Sequence, residues 1–400
     1  MTTFAHNTRK TLIVVENLPV PFDRRVWQEA LALRKAGYQV SIICPTGKGH
    51  EARHEVIDDI HIYRHPLPAE AEDATGYLIE YSAALFWEFI LAWRILISRG
   101  FDVIHACNPP DNIFLVAAMF KLLGKKFLFD HHDICPELYE AKFKNRGVMY
   151  KAITACERWT FKTADVSVAT SQSYKRIAIE RGGMDPNQVF VVRNGPTLDR
   201  LRIIPPVPRL KMGRKYLVGY VGVMGKQDGI DYLLRAVRHI VQDFNRTDVH
   251  FGLVGGGTEW DAMKRYAEEL GIADYVTLTG RVPDQEMLEM LNTADVCVNP
   301  DVANEMNDKS CMNKVMEYMA LAKPIVQFDL TEGRVSAQEA SLYAIKNDEL
   351  DFARKIIQLM DDSRLRKRMG EYGRKRVLSE LLWEQQVPYL LAAYDQLYQK

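Results

Sequence analysis

Short, uninterrupted apolar runs rich in β-branched residues recur along the first half of this chain, each separated from the next by a helical pattern. Leu12-Ile13-Val14-Val15 opens the series, and Val40-Ser41-Ile42-Ile43-Cys44, Ile60-His61-Ile62-Tyr63 and Val103-Ile104-His105-Ala106 continue it. Phe127-Leu128-Phe129, Val166-Ser167-Val168-Ala169 and residues 189–192 complete it. Helical spacing fits residues 25–35, where Val26, Trp27, Ala30, Leu31 and Leu33 give a broad apolar side and Gly37 supplies the stop. Further helices are expected at 77–97, 113–123 and about 150–163. A strand that is apolar at nearly every position is covered on both faces, and strands spaced by helices pair in parallel. The expected class is therefore α/β, with a doubly wound, Rossmann-like sheet.

Asn194-Gly195-Pro196 then opens a proline-rich passage through Pro205-Pro206-Val207-Pro208, the best linker in the sequence. Beyond it the pattern restarts. Strands are expected at 217–221, 250–254, 276–278, 296–298, 325–326 and 342–344, with helices at 232–241, 260–270, 286–292, 350–361, 364–378 and 383–398. Four hundred residues suit two domains, placed at 1–200 and 201–379. Ligands of doubly wound sheets bind outside the carboxyl ends of the strands, so two such domains facing each other are expected to make a cleft.

Lys plus Arg and Asp plus Glu are equal at 52 each, so bulk charge gives no reason to expect a nucleic-acid partner. The six cysteines are scattered without C-x-x-C or metal-finger spacing, as expected of free thiols in a reducing cytoplasm. No signal peptide is read in the polar start up to Lys10. The apolar stretch 77–97 is interrupted by Glu80, Glu88 and Arg94. Since a span needs roughly 20 nearly uncharged residues, a core or interfacial helix is expected there. Phe86, Trp87, Phe89 and Trp93, near Lys121, Lys125, Lys126, Lys142 and Lys144, form either core packing or a membrane-facing patch.

The run from Asn307 through Lys309, Ser310, Asn313, Lys314 and Glu317 to Ala320 carries the sharpest chemistry. It reads as a polar loop feeding a helix, whose unpaired N–H groups and positive dipole end favour phosphate. Glu317 falls one turn after Asn313 on the same face, where a carboxylate accepts from sugar hydroxyls. An ordinary buried helix behind a capping loop is the plainer account. His131-His132-Asp133 follows a strand at its carboxyl end; His132 suits handling a hydroxyl proton or merely a structural hydrogen bond. No third ligand at metal spacing accompanies it. Asp23, Arg24 and Arg25 either grip an acceptor phosphate or form an N-cap with exposed arginines. Asn108-Pro109-Pro110-Asp111 shapes the acceptor side or simply turns the chain. Gly255-Gly256-Gly257 fails the dinucleotide pattern because Trp260 takes its last position, and reads as a tight turn admitting a ligand.

These pieces, in order, resemble family 4 glycosyltransferases of the GT-B fold along nearly the whole chain. The resemblance is carried by Asp23-Arg24-Arg25-Val26, Glu29-Ala30, Gly37-Tyr38-Gln39-Val40, His132-Asp133 and Asn194-Gly195. It continues through Gly219-Tyr220-Val221-Gly222, Gly280-Arg281-Val282 and Glu317-Tyr318-Met319-Ala320-Leu321-Ala322-Lys323-Pro324. It implies sugar transfer from a UDP- or GDP-type nucleotide sugar, with retention and without metal or other cofactor. It also implies a C-terminal helix, about 380–400, returning to the N-terminal domain. Donor contacts would fall on Gly222, Lys226, Gly255, Arg281, Val282, Lys309, Ser310, Asn313, Lys314 and Glu317. His132 and Asp133 would be catalytic, and Asp23, Arg24, Arg25 and Asn108 would lie on the acceptor side.

Two departures from the family pattern stand out. Lys309 occupies the position of the first glutamate of the family's pair, with Asp308 next to it as a substitute. Val223 and Asp228 occupy the positions of a diphosphate-clamping Arg and Lys, leaving Lys226, Lys309 and Lys314 to share the clamp. The acceptor is expected to be a glycan or lipid-linked, in surface polysaccharide or glycolipid synthesis, in the cytoplasm or at the inner membrane face. A sugar-nucleotide epimerase of similar fold and a non-catalytic sugar-nucleotide binder are the rival readings.

Overall fold

The computed structural model describes residues 9–67 and 74–399, with the side chains of 74–79 left aside. The polar start on which the leader reading rests lies, but for Arg9 and Lys10, outside the described residues. The chain divides into two compact units, one comprising Met1–Arg193 with Gln386–Lys400 and the other Asn194–Gln385.

Unit 1 contains β1 (Lys10–Val14), α1 (Arg24–Lys35), β2 (Gln39–Pro45), β3 (His54–Ile57), β4 (Ile60–His65), α2 (Ala74–Ser98) and β5 (Val103–Cys107). After these come α3 (Phe114–Lys121), β6 (Lys126–His131), α4 (Cys135–Phe143), α5 (Val148–Thr163), β7 (Val166–Ala169), α6 (Gln172–Glu180) and β8 (Val189–Val191). Its eight strands are ordered β3-β4-β2-β1-β5-β6-β7-β8. Every pairing is parallel except β3 with β4. The residues of β5 are all buried, as are Leu12, Ile13 and Val14 of β1, which is why these strands read as unbroken apolar runs. Burial on that scale is worth about 1.5–3 kcal/mol for each large aliphatic side chain. The edge strand β3 alternates exposed and half-buried residues, so no apolar run marked it in the sequence. Helices α4 and α6 have nine residues each and equally escaped the periodicity.

Unit 2 begins with β9 (Tyr216–Val221), α7 (Ile230–Arg238), β10 (Val249–Val254), α8 (Trp260–Glu269), β11 (Val276–Gly280), α9 (Asp284–Thr293) and β12 (Val296–Asn299). It continues with α10 (Glu305–Lys309), α11 (Asn313–Ala320), β13 (Ile325–Phe328), α12 (Thr331–Ala337), β14 (Ser341–Ala344), α13 (Glu349–Asp361) and α14 (Ser363–Arg376). Its six strands, ordered β11-β10-β9-β12-β13-β14, are all parallel. Tyr216, Val218 and Tyr220 of β9 feed the core on one face, and Leu217 the core on the other. That division explains the continuous apolarity. α15 (Trp383–Gln396) ends in unit 1, where the Tyr394 hydroxyl meets Thr11 Oγ1 at 3.0 Å and His105 Nδ1 at 2.9 Å. The doubly wound expectation and the returning C-terminal helix both hold.

Among the parallel strands of each sheet the order reverses once, between β1 and β5 in unit 1 and between β9 and β12 in unit 2. The carboxyl ends of those strands are where ligands of such sheets bind.

Candidate active site

In unit 1 the carboxyl ends of β1, β5 and β6 gather a buried ionic cluster around Asp130. The Arg25 fork donates to both of its oxygens, Nε to Oδ2 at 3.1 Å and Nη2 to Oδ1 at 2.9 Å, while Nη1 donates to the Val192 carbonyl at 2.9 Å. Burial works against charge on Asp130, but Arg25 and His132 outweigh it and hold its pKa well below the usual range. Glu29 Oε1 lies 3.0 Å from the same guanidinium without hydrogen-bond geometry, and burial pushes its pKa well up. Folding thus moves the pKa values of the two carboxyl groups that flank this arginine in opposite directions.

His132 Nε2 sits 2.6 Å from Asp130 Oδ2 and 2.8 Å from Arg25 Nε. One nitrogen cannot serve both partners. In the neutral imidazole with its proton on Nε2, that nitrogen donates to the carboxylate, Arg25 Nε keeps Asp130 as its acceptor, and Nδ1 is left to accept. The turn itself is pinned by Asn108, whose Oδ1 accepts from the His132 and Asp133 amides at 2.6 and 3.1 Å. Asn108 Nδ2 donates to Asp111 and to the Asp133 carbonyl. Burial raises the pKa of Asp133.

Neither account of Asp23, Arg24 and Arg25 holds in full. Asp23 caps α1 by accepting from the Val26 amide at 3.1 Å. Arg24 is exposed, but Arg25 is 8 % exposed and fixed by protein groups, so it is no ready phosphate ligand. His131 is buried between Phe129, Phe161 and Tyr174. Among the described residues, Glu29, His105, Cys107 and Asp130 bring potential metal-ligand atoms within 4.8 Å of one another. Arg25 already supplies the positive charge there. Asp130 was missed in the sequence, where the signal was an acid inside an apolar strand, and Glu29, quoted there only for the resemblance, was given no role.

In unit 2, α11 starts at Asn313 with Met312 at its N-cap and no side-chain cap. Asn313 is exposed. The carboxylate of Glu317 accepts from Arg200 Nη1 at 2.6 Å, and Arg200 Nε donates to Asp284 at 2.9 Å. Arg200 escaped the sequence reading because it lies in an irregular segment. Lys314 is nearly buried, its Nζ 2.8 Å from Asp301 Oδ1 and 3.6 Å from Asp228 Oδ1. Burial alone would lower its pKa, but Asp301 and its neighbours raise it.

The segment expected as a loop at Asn307–Lys309 is instead the helical turn α10, capped by Asn304. Two of the three lysines expected to form a clamp are engaged by carboxylates of the chain. Lys309 bonds Glu305 one turn away at 2.6 Å, Lys314 is held by Asp301, and Lys226 lies in the short helix Lys226–Asp228. Asp308 is also engaged, accepting from Thr331 and Lys346. Ser310 Oγ donates to the Met306 carbonyl at 2.8 Å.

The glycine positions serve close backbone approach. A Cβ on Gly255, whose φ is +131°, would meet the Gly222 carbonyl oxygen, and one on Gly257 would stand 2.6 Å from the Met224 carbonyl. On that side of Gly255 and Gly257 lies the backbone of 222–224, whereas a Cβ on Gly256 would have only the Arg281 amide nitrogen near it, at 3.9 Å. A Cβ on Gly222 would be 2.6 Å from the Tyr220 hydroxyl and 3.3 Å from Lys314 Cε. Arg281 and Val282 follow β11 at its carboxyl end, Arg281 exposed and Val282 half-buried.

Two Rossmann-like sheets with polar clusters at their switch points are matched by two family models. One described as Glycosyltransferase Family 4 matches residues 23–200, and one described as Glycosyl transferases group 1 matches residues 215–362. The chain belongs to glycosyltransferase family 4. This glycosyltransferase is 24 % identical over 257 residues to 2-deoxystreptamine glucosyltransferase of Streptomyces kanamyceticus. That match covers 60 % of this chain and 63 % of the relative, so it spans less than two-thirds of either. In structure it is similar to sucrose-phosphate synthase from Thermosynechococcus elongatus, with a TM-score of 0.77, 18 % identity, and 98 % and 99 % of the two chains covered. It is also similar to the Anabaena protein HepE solved in complex with UDP-glucose, with a TM-score of 0.71, 13 % identity, and 96 % and 99 % covered. The architecture is that of GT-B glycosyltransferases.

Proposed function

We propose that this glycosyltransferase moves a sugar from a UDP- or GDP-type nucleotide sugar to a glycan or lipid-linked acceptor, with retention at the anomeric carbon and without a metal. The observation that carries the donor reading is the open mouth of α11. It is uncapped by any side chain, exposed at Asn313, and has a carboxylate one turn inside that Arg200 orients. Main-chain amides there suit a diphosphate, and Glu317 suits a vicinal diol. HepE, of similar fold, was solved with UDP-glucose, which favours the uridine form.

On this reading the helix-end amides take up charge on the departing diphosphate. Preorganised donors of this type are worth about 3–4 kcal/mol each. The diphosphate in turn accepts the proton of the acceptor hydroxyl attacking from the same side. In unit 1, the lone pair of His132 Nδ1 is assigned to an incoming sugar hydroxyl, with Asp130, Arg25 and Asn108 holding the ring and its turn in place.

Calorimetric titration with UDP and GDP, followed by turnover with their sugars, tests this. Glu317→Gln is expected to weaken nucleotide binding by about tenfold or more, the worth of a charge-assisted hydrogen bond. An unchanged affinity removes Glu317 from the donor site. The pairing of Lys309 with Glu305 and of Lys314 with Asp301 favours a second reading, a sugar-nucleotide binder without turnover. It predicts affinity with no nucleotide release across an acceptor panel. Turnover without any acceptor would favour an epimerase.

A further inference from the structure

Asn108 is the first residue after β5, and its side chain holds the turn that follows β6. All four of its hydrogen-bonding positions are filled. Oδ1 accepts from the His132 and Asp133 amides, 24 and 25 positions further along the chain, and Nδ2 donates to the Asp133 carbonyl at 2.6 Å. These three bonds grip the turn that presents His132. The fourth runs from Nδ2 to Asp111 Oδ1 at 2.7 Å. A further contact of Nδ2, with Cys135 Sγ at 3.6 Å, is to a weak acceptor.

Asp111 is a buried acid in the loop ahead of α3, 5 % exposed, and its main-chain carbonyl accepts from Thr160 Oγ1 of α5. Burial and the nearby Glu157 push its pKa up to about 7. Ionised or protonated, a carboxyl keeps an oxygen that can accept, so it serves Asn108 in both forms. The plainer account is that Asn108-Pro109-Pro110-Asp111 merely turns the chain. A turn needs no buried carboxyl, and burying one is costly unless it bonds something. What this side chain bonds is the Asn108 amide.

Without that acceptor one proton of Nδ2 would be buried unpaired, and the amide that holds residues 132 and 133 would lose its anchor on the far side. We infer that Asp111 is a positioning residue for sugar transfer, acting through the Asn108 amide to hold the His132–Asp133 turn where His132 Nδ1 meets a sugar hydroxyl. This rests on the reading that assigns such a hydroxyl to His132; Asp111 itself touches no substrate. A reacting group about 1 Å out of place can lose as much as a hundredfold in rate, so a bond one step removed from the imidazole has leverage on turnover.

The test reads UDP release from UDP-glucose, with an acceptor that supports turnover, in the full chain and its variants. Asp111→Ala is expected to lower kcat about tenfold or more at unchanged UDP affinity. Asp111→Asn, which keeps an acceptor oxygen at that place, is expected to stay within about threefold of the parent. Asp111→Leu fills the same space without an acceptor and gives the same loss where the alanine variant is too unstable to assay. Because Asp111 acts through the turn, D111A/H132A is expected to be no slower than His132→Ala alone. Hydrogen exchange at the His132 and Asp133 amides is expected to quicken in Asp111→Ala and not in Asp111→Asn. An unchanged kcat in Asp111→Ala and Asp111→Leu, or losses that multiply in the double variant, would overturn the inference and leave His132 its role. An undiminished rate in His132→Ala, or a parent without turnover, would instead overturn the reading beneath it, and the role of Asp111 with it.

Discussion

Asp130 shows how much of this protein turns on single buried groups. Its carboxylate is shared by Arg25 and His132 and has His105 Nε2 at 3.5 Å, so ring orientation, charge and the entry to α1 depend on one side chain. Glu88 is the opposite case, an acid on the buried side of α2 whose pKa burial pushes up to about 8; Glu16 is pushed to about 9 by burial and by Glu88. A carboxyl whose pKa is raised by folding stays protonated in the native state while the unfolded chain ionises. Its cost to stability is absent below the unfolded pKa near 4.5 and grows as pH rises towards the folded value. Glu88→Gln, a neutral isostere, is therefore expected to match the parent near pH 4.5 and to exceed it at pH 8 by about 3–5 kcal/mol. Chemical denaturation at the two pH values measures this; an identical pH slope for parent and variant would contradict the assignment.

At the scale of elements, α11 is the informative helix. An N-cap without a side-chain acceptor forgoes about 1 kcal/mol that Ser, Thr, Asp or Asn would supply. Met312 has the extended backbone such a cap needs, with φ −82° and ψ 115°. Met312→Asp supplies such an acceptor but gives up the packing of Met312 against the core of unit 2, so its stability in thermal unfolding is expected to stay within about 1 kcal/mol of the parent's. It should also weaken UDP binding at least tenfold, by setting a carboxylate where the diphosphate would lie. Retained stability with undiminished affinity would move the nucleotide away from this helix. The sequence marked α11, since a polar run followed by amphipathic spacing is a local signal. It did not mark α10, whose five residues are too few to display a period.

On the scale of the molecule, the chain crosses from unit 1 to unit 2 and back, and the second crossing closes unit 1. Arg193 and Gln386, one at each crossing, are joined by a hydrogen bond of 3.2 Å. Leu390, Ala393, Tyr394 and Leu397 of the returning segment are buried. Tyr394→Phe deletes a hydroxyl that partners both Thr11 and His105 and leaves those buried groups unsatisfied. A loss of about 1–3 kcal/mol is expected, read as a lower unfolding midpoint in urea with donor affinity unchanged. A midpoint equal to the parent's would mean that the Tyr394 hydroxyl adds nothing to the hold on α15.

By itself the sequence determined the class of fold and the order of its elements, because continuous apolar runs and helical periods report locally on what each segment must bury. It also located the His132 turn and the α11 mouth, both announced by polar residues where a strand ends or a helix starts. Which charges neutralise one another was decided only by tertiary structure. Arg25 meets Asp130 from 105 positions away and Glu317 meets Arg200 from 117, and side-chain pairing over such separations leaves no trace in spacing. The same holds for Lys314, a clamp by its place in the chain and an ion-pair partner by its surroundings, since the charge a buried group keeps is set by what packs against it.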